Sequence, residues 1–308
     1  MARRPPGERR PADGILKAPL DRLYASFDHP ESALDPVQIV RRYADTADRE
    51  IVAFVAAGLA FGRVASVMAS VDAVCRVMGP QPAAFVRAFD PARDGVALDP
   101  IGHRWIRGRD LVALIWILRV LLERYGSLEA AVSAGIDEMH DDVGPAIERL
   151  AAEVRGIDLA PAYGPVVPAR PGVYYFFSTP ASGGACKRLN LFLRWMVRRD
   201  GVDPGGWTTV RPSQLVVPLD THTIRVGQCL RLTRRASPGW KMAGDITAGL
   251  RRLDAVDPVR YDFALCHLSM MGACGWRAAR GSRECPLREV CRPGRPVARR
   301  PAGSRKHS

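Results

Sequence analysis

The chain has 308 residues, 47% hydrophobic and 25% charged, enough for one large or two small domains around a proper core. No run of eighteen residues lacks a charge, and the Arg- and Pro-rich opening has no apolar stretch, so the expectation is a cytoplasmic protein with neither a spanning helix nor a secretory signal. The formal charge is +13, and residues 1–14 and 292–308 together carry eight of those charges; two disordered basic tails are expected, and with them a polyanionic partner.

In chain order, residues 36–61 space apolar side chains by three and four, with Asp35 and Pro36 as the start signal, and read as one helix. A second helix is expected over 64–78, ending at Gly79-Pro80. Residues 110–125 are apolar nearly all round, which predicts a buried central helix opened by Asp110 and stopped by Gly126. A short helix follows Ser127, and an amphipathic one covers 143–155. Five prolines, with Gly164, Gly172, Gly183 and Gly184, then break up 156–186 into an irregular connection.

The next helix, 186–199, is amphipathic and basic on one side. A second loop occupies 200–218, and helices are predicted at 220–231, 239–252 and 258–271, the last capped by Asp257 and Pro258. No internal repeat or strand alternation is evident. The expected fold class is all-α.

Two segments carry chemistry. In the first, Gly183-Gly184-Ala185-Cys186-Lys187-Arg188-Leu189-Asn190, a glycine turn runs straight into a helix. Glycines there let backbone N–H groups approach a phosphate, and the positive end of the helix favours the neutral amine that a lysine nucleophile requires. A surface lysine after a glycine turn is also commonplace. In the second, Leu215 to Val226, an apolar run delivers Asp220 to a helix entrance, with Thr221, His222 and Arg225 behind it. Asp220 is readable as a plain N-cap or as a carboxylate held rigidly beside a pocket.

Together, Lys187-x-x-Asn190 and Asp220-Thr221-His222-x-x-Arg225-Val226 resemble the signature of the helix-hairpin-helix DNA glycosylases, particularly the endonuclease III branch. The long Lys–Asp spacing is closer to the archaeal 8-oxoguanine glycosylases, and the chain reads as a separate bacterial branch within or near the superfamily. The likeness is close over 180–291; residues 36–155 share only helicity. It implies a two-lobed helical body over 15–291 with a central cleft. It further implies a monomer acting on double-stranded DNA that contains a damaged base or an abasic site. Lys187 would be the Schiff-base nucleophile and Asp220 its partner. Gly183, Gly184, Arg188, His222 and Arg225 would be DNA contacts, and Trp195, Trp240, Trp276 and Phe192 the candidate pocket walls or wedges. An oxidised base is the expected target. A non-catalytic DNA-binding protein on the same scaffold and a helical module for structured RNA are the alternatives.

Two departures from the family pattern stand out. The hairpin reads Pro180-Ala181-Ser182-Gly183-Gly184-Ala185, where the family has an apolar-Pro-Gly-apolar-Gly run. The family's iron–sulfur motif, Cys-x6-Cys-x2-Cys-x5-Cys, keeps only its last interval, Cys285 to Cys291, with Cys274 one residue out and Ser282 in place of the second cysteine. Cys274, Cys285 and Cys291 are the candidate ligands of an incomplete site for a [4Fe–4S] cluster or zinc. A loop packed without metal is the expectation, and the proposed chemistry needs no cofactor. Seven cysteines without a signal peptide also predict no disulfide framework.

Overall fold

In a computed structural model, residues 11–32, 34–272 and 285–291 are described. Their regular elements are helices, and their only β-type pairings are two isolated bridges, His103 with Ile106 and Arg199 with Pro204. The all-α expectation holds. No described helix is long and apolar enough to cross a membrane. Of the two expected basic tails, residues 1–10 and 292–308 lie outside the described residues.

Helix α1 (Pro11–Phe27) starts inside the stretch expected to be a tail; its Leu16, Leu20 and Leu23 are buried. The helix expected over 36–61 is two: α2 (Val37–Val40) and α3 (Thr46–Gly58). The break is physical, because the Asp45 carboxylate accepts from the N–H groups of Ala47 and Asp48 and starts a new helix. Then come α4 (Val64–Met78), α5 (Pro82–Ala88), α6 (Pro91–Leu98) and α7 (Gly108–Tyr125). As its composition requires, α7 is buried along most of its length. Next are α8 (Leu128–Ser133), α9 (Gly144–Arg155), α10 (Ala160–Tyr163) and α11 (Lys187–Val197). The chain continues with α12 (Thr221–Cys229), α13 (Trp240–Arg251) and α14 (Asp262–Met270). Asp257 does not cap α14, because its carboxylate is drawn into the Arg198 guanidinium at 2.8 Å.

Three packings position the site. Helix α11 lies on α3, α12 lies on α14, and α14 lies on α1. Trp195, Phe192 and Met196 of α11 are buried with Phe54 and Phe177 in one continuous core. The expected basic face of α11 also turns inward. Arg194 bonds Asp203 (3.1 Å) and Asp262 (2.6 Å), while Arg198 bonds Asp203, Asp200 (2.6 Å) and Asp257. That network ties α11 to α14 and to the loop after α11.

Candidate active site

Lys187 is the first residue of α11. The residue before it, Cys186, has φ of +49°, a left-handed conformation that costs a non-glycine residue energy and turns the chain sharply into the helix. The Cys186 thiol is held at the Ser178 carbonyl, 3.3 Å away. Asn190 donates back to the Ala185 carbonyl at 3.2 Å, which closes the turn from the other side. This geometry sends the Lys187 side chain toward the end of α3, where Nζ donates to the Ala60 carbonyl at 3.3 Å.

Asp220 is the N-cap of α12. Its Oδ1 accepts from the N–H groups of His222 and Thr223, each at 2.9 Å. Oδ2 is left facing Lys187 Nζ at 3.5 Å and the Cys266 thiol at 3.5 Å. Burial raises the Asp220 carboxyl, but Lys187, the two amide hydrogen bonds and His222 outweigh it and hold it below the ordinary aspartate value. Burial and the charges of Asp220 and Asp262 push the Cys266 thiol well up, so it stays protonated and donates. Behind them, Asp262 accepts from Thr223 Oγ1 at 3.3 Å and from Arg194.

These groups line a cavity of about 440 Å³ whose other walls include Phe61, Leu191, Phe263 and Met270. The volume suits a small organic ligand, and walls that are mostly apolar with a few converging polar groups are typical of such sites. Next to it stands an aromatic ridge. Phe61 stacks on Trp105 with centroids 4.6 Å apart, and Tyr175 meets both edge-on at 5.3 Å. Trp105 is 53% exposed. It sits in a tight turn closed by paired hydrogen bonds between His103 and Ile106, with Arg104 at φ +56°. His103 fixes that turn to the site, one ring nitrogen 2.8 Å from the Phe61 carbonyl and the other 3.0 Å from Ser70 Oγ.

Of the residues singled out in the sequence, Lys187, Asp220 and His222 meet at the cavity; His222 Nδ1 lies 3.1 Å from Ser269 Oγ. Arg225 is exposed one turn along α12, with no hydrogen bond or ion pair among the described residues. Arg188 is committed elsewhere, its guanidinium 3.4 Å above the Tyr175 ring centre and bonded to the Tyr175 carbonyl. The Gly183 N–H is spent on the Pro180 carbonyl at 2.9 Å, and the Glu148 carboxylate takes the Ala181 N–H, so this turn is not an open row of amides around Gly183 and Gly184. Trp195 and Phe192 are core residues, Trp240 packs against Gly144, and Trp276 lies outside the described residues. Trp105 escaped notice in the sequence; its only signal is an Arg-Trp pair in a short polar turn between helices.

The cysteine expectations need correction. Cys291 is joined to Cys229 of α12 in a disulfide, so its sulfur is not an available ligand. Cys285 is a free thiol, and Cys274 lies outside the described residues. Among the described residues no three His, Cys, Asp or Glu side chains are grouped to hold a metal, and the cysteines present do not fit a four-thiolate cluster.

The fold and site define a class: an all-helical protein with a lysine–carboxylate pair at the edge of a half-enclosed cavity. Residues 35–271 match the family described as Protein of unknown function (DUF2400), and the chain belongs to that family. No curated protein and no solved structure matches it.

Proposed function

We propose that this protein excises a damaged base from duplex DNA and then nicks the strand, with Lys187 as nucleophile and Asp220 as its carboxylate partner. One observation carries the reading. Lys187 Nζ and Asp220 Oδ2, distant in sequence, stand 3.5 Å apart on a cavity large enough for a nucleobase. Cleavage of an N-glycosidic bond puts positive charge on the sugar, and an ionised carboxylate opposite stabilises it. The Lys187 amine attacks the anomeric carbon, and Asp220, ionised until then, takes the proton that the new C–N bond releases. The C–N bond to the base breaks, and the base leaves with the electron pair. Opening of the sugar ring gives the Schiff base; loss of a C2′ proton then expels the 3′ phosphate.

A base in a duplex reaches such a cavity only by leaving the stack. The Trp105–Phe61 ridge beside the cavity is suited to stack against the bases left behind, and Arg225 and the net charge of +13 suit the phosphate backbone. Trp105→Ala is expected to weaken binding to an abasic-site duplex about 10-fold, from the loss of one stacking contact. Fluorescence anisotropy at fixed salt measures this, and unchanged affinity would remove Trp105 from the interface.

The deciding experiment is borohydride trapping of the wild-type protein on duplex DNA with one abasic site, where a covalent adduct is expected. Binding without catalysis is the second reading. The altered hairpin favours it, since residues 180–185 depart from the family pattern at the element expected to clamp the strand, while Arg225 and the net charge of +13 remain for binding. A gel shift with neither adduct nor base release would establish that reading instead.

A further inference from the structure

The cavity beside Lys187 and Asp220 has a polar side that this chemistry leaves unused. His267 of α14 is 4% exposed, with the rings of Phe263 and Phe27 centred 4.0 Å and 6.2 Å from its own. Its Nδ1 lies 2.9 Å from the Phe263 carbonyl oxygen, which can only accept, so Nδ1 carries the proton. Burial holds the imidazole below its usual value, with Asp35 opposing, and the ring is neutral. Nε2 is therefore an acceptor, and it is buried with no hydrogen-bond partner among the described residues.

Nε2 lies 3.9 Å from Asp35 Oδ2, which is also an acceptor. Asp35 is anchored through Oδ1 by the Val37 N–H at 2.9 Å, and both residues line the cavity. Two acceptors side by side call for donors. The cavity's own cations are engaged elsewhere: Arg194 with Asp203 and Asp262, and Lys187 with Asp220 and the Ala60 carbonyl. An unpaired buried acceptor of this kind marks a place where a donor is to arrive.

We infer that Asp35 and His267 are the base-recognition pair of this cavity and that they select a guanine-type base, whose Watson–Crick edge carries adjacent N1–H and amino donors. The inference rests on the base-excision reading above. A flipped base is identified by the hydrogen bonds of that edge. Adenine and cytosine set one amino group beside a ring acceptor, and uracil sets one N–H between two carbonyls. Each of these brings an acceptor against the pair, whereas guanine answers two acceptors with two donors. Phe61, Phe263 and Met270 supply apolar walls for a flat ring.

The test measures base release from duplexes carrying a single 8-oxoguanine, 7-methylguanine, hypoxanthine or 5-hydroxyuracil, beside borohydride trapping on an abasic-site duplex. Hypoxanthine keeps the N1–H and lacks the amino group. Asp35→Asn is the informative variant, since its amide oxygen still accepts from Val37 while its NH2 puts a donor where Oδ2 accepted. The wild type is expected to release a guanine lesion at least about 10-fold faster than hypoxanthine or 5-hydroxyuracil. Asp35→Asn should lower guanine-lesion release, relative to abasic-site trapping, by about 10²-fold, since a site built for one hydrogen-bonding pattern strongly rejects another. Trapping that succeeds while hypoxanthine or 5-hydroxyuracil is preferred overturns the recognition pair alone. So does a release-to-trapping ratio that Asp35→Asn leaves unmoved, which would make the pair a structural or water-holding feature. Absence of both trapping and release overturns the base-excision reading, and this inference with it.

Discussion

Lys187→Ala is expected to give no borohydride-trapped adduct, and Asp220→Asn to slow base release by about 10²–10⁴-fold, the range for losing a positioned acid–base group. The two variants separate chemistry from folding. Lys187 is half-buried at a helix start, and its loss removes one 3.3 Å bond to the Ala60 carbonyl and one ion pair. Asparagine caps a helix about as well as aspartate, so in Asp220→Asn α12 keeps its N-terminal bonds to the amides of His222 and Thr223. What the substituted amide lacks is the charge that faces Lys187 and the proton acceptor it needs. Thermal melts close to wild type are therefore expected beside the lost activity. The pH dependence has a definite sign. Asp220 is held below the ordinary aspartate value, so its carboxylate, and the stability its pairing adds, are fully present above the unfolded value. Both are lost only as pH falls through the lower folded value. Single-turnover rates should thus show no acid limb from Asp220 across the mildly acidic range. A limb there that vanishes in Asp220→Asn would contradict the environment described.

Which parts of this site could be read in advance follows from how local their causes are. Asp220 as a cap and Lys187 at a helix start are decided by a few neighbouring residues, and both lie where the sequence placed them. That the two meet is not local: it depends on α11 lying on α3 and α12 on α14. The resemblance brought them together on paper, while periodicity could not. Arg194 and Arg198 look like a solvent-facing basic stripe because their counter-charges, Asp203, Asp257 and Asp262, come from a loop and from the far end of the chain. Trp105 and the turn that holds it depend on His103 reaching Phe61 and Ser70, contacts that no spacing rule encodes. In α1 the pattern was present in Leu16, Leu20 and Leu23, but the Arg- and Pro-rich residues before it disguised the start.

The second large effect concerns what keeps the site assembled. Arg194→Met is expected to destabilise the fold by about 3–5 kcal/mol, the cost of breaking a buried ion pair by removing one partner. That corresponds to a melting temperature lower by on the order of 5–15 °C. Methionine keeps most of the side-chain length, so lost packing is a minor part of the effect. The major part is charge. Arg194 is 3% exposed and bonds two carboxylates, Asp203 and Asp262, that are themselves almost wholly buried. Burial already raises both carboxyls, with Arg194 as the main opposing influence, so the variant raises them further. Groups whose folded values lie above their unfolded ones bind protons more tightly when folded, and the fold loses stability as pH rises through that window. The gap in melting temperature between wild type and Arg194→Met should therefore narrow as pH falls from neutral toward the mildly acidic range. A gap that widened, or one of only a degree or two at neutral pH, would mean that the carboxylates find other partners when Arg194 is gone. The same substitution should also lower the rate at saturating DNA. Asp262 links Arg194 on α11 to Thr223 on α12, and through them holds the helices that present Lys187 and Asp220 to each other. A 1 Å drift between those two residues is enough to cost about 10²-fold in rate.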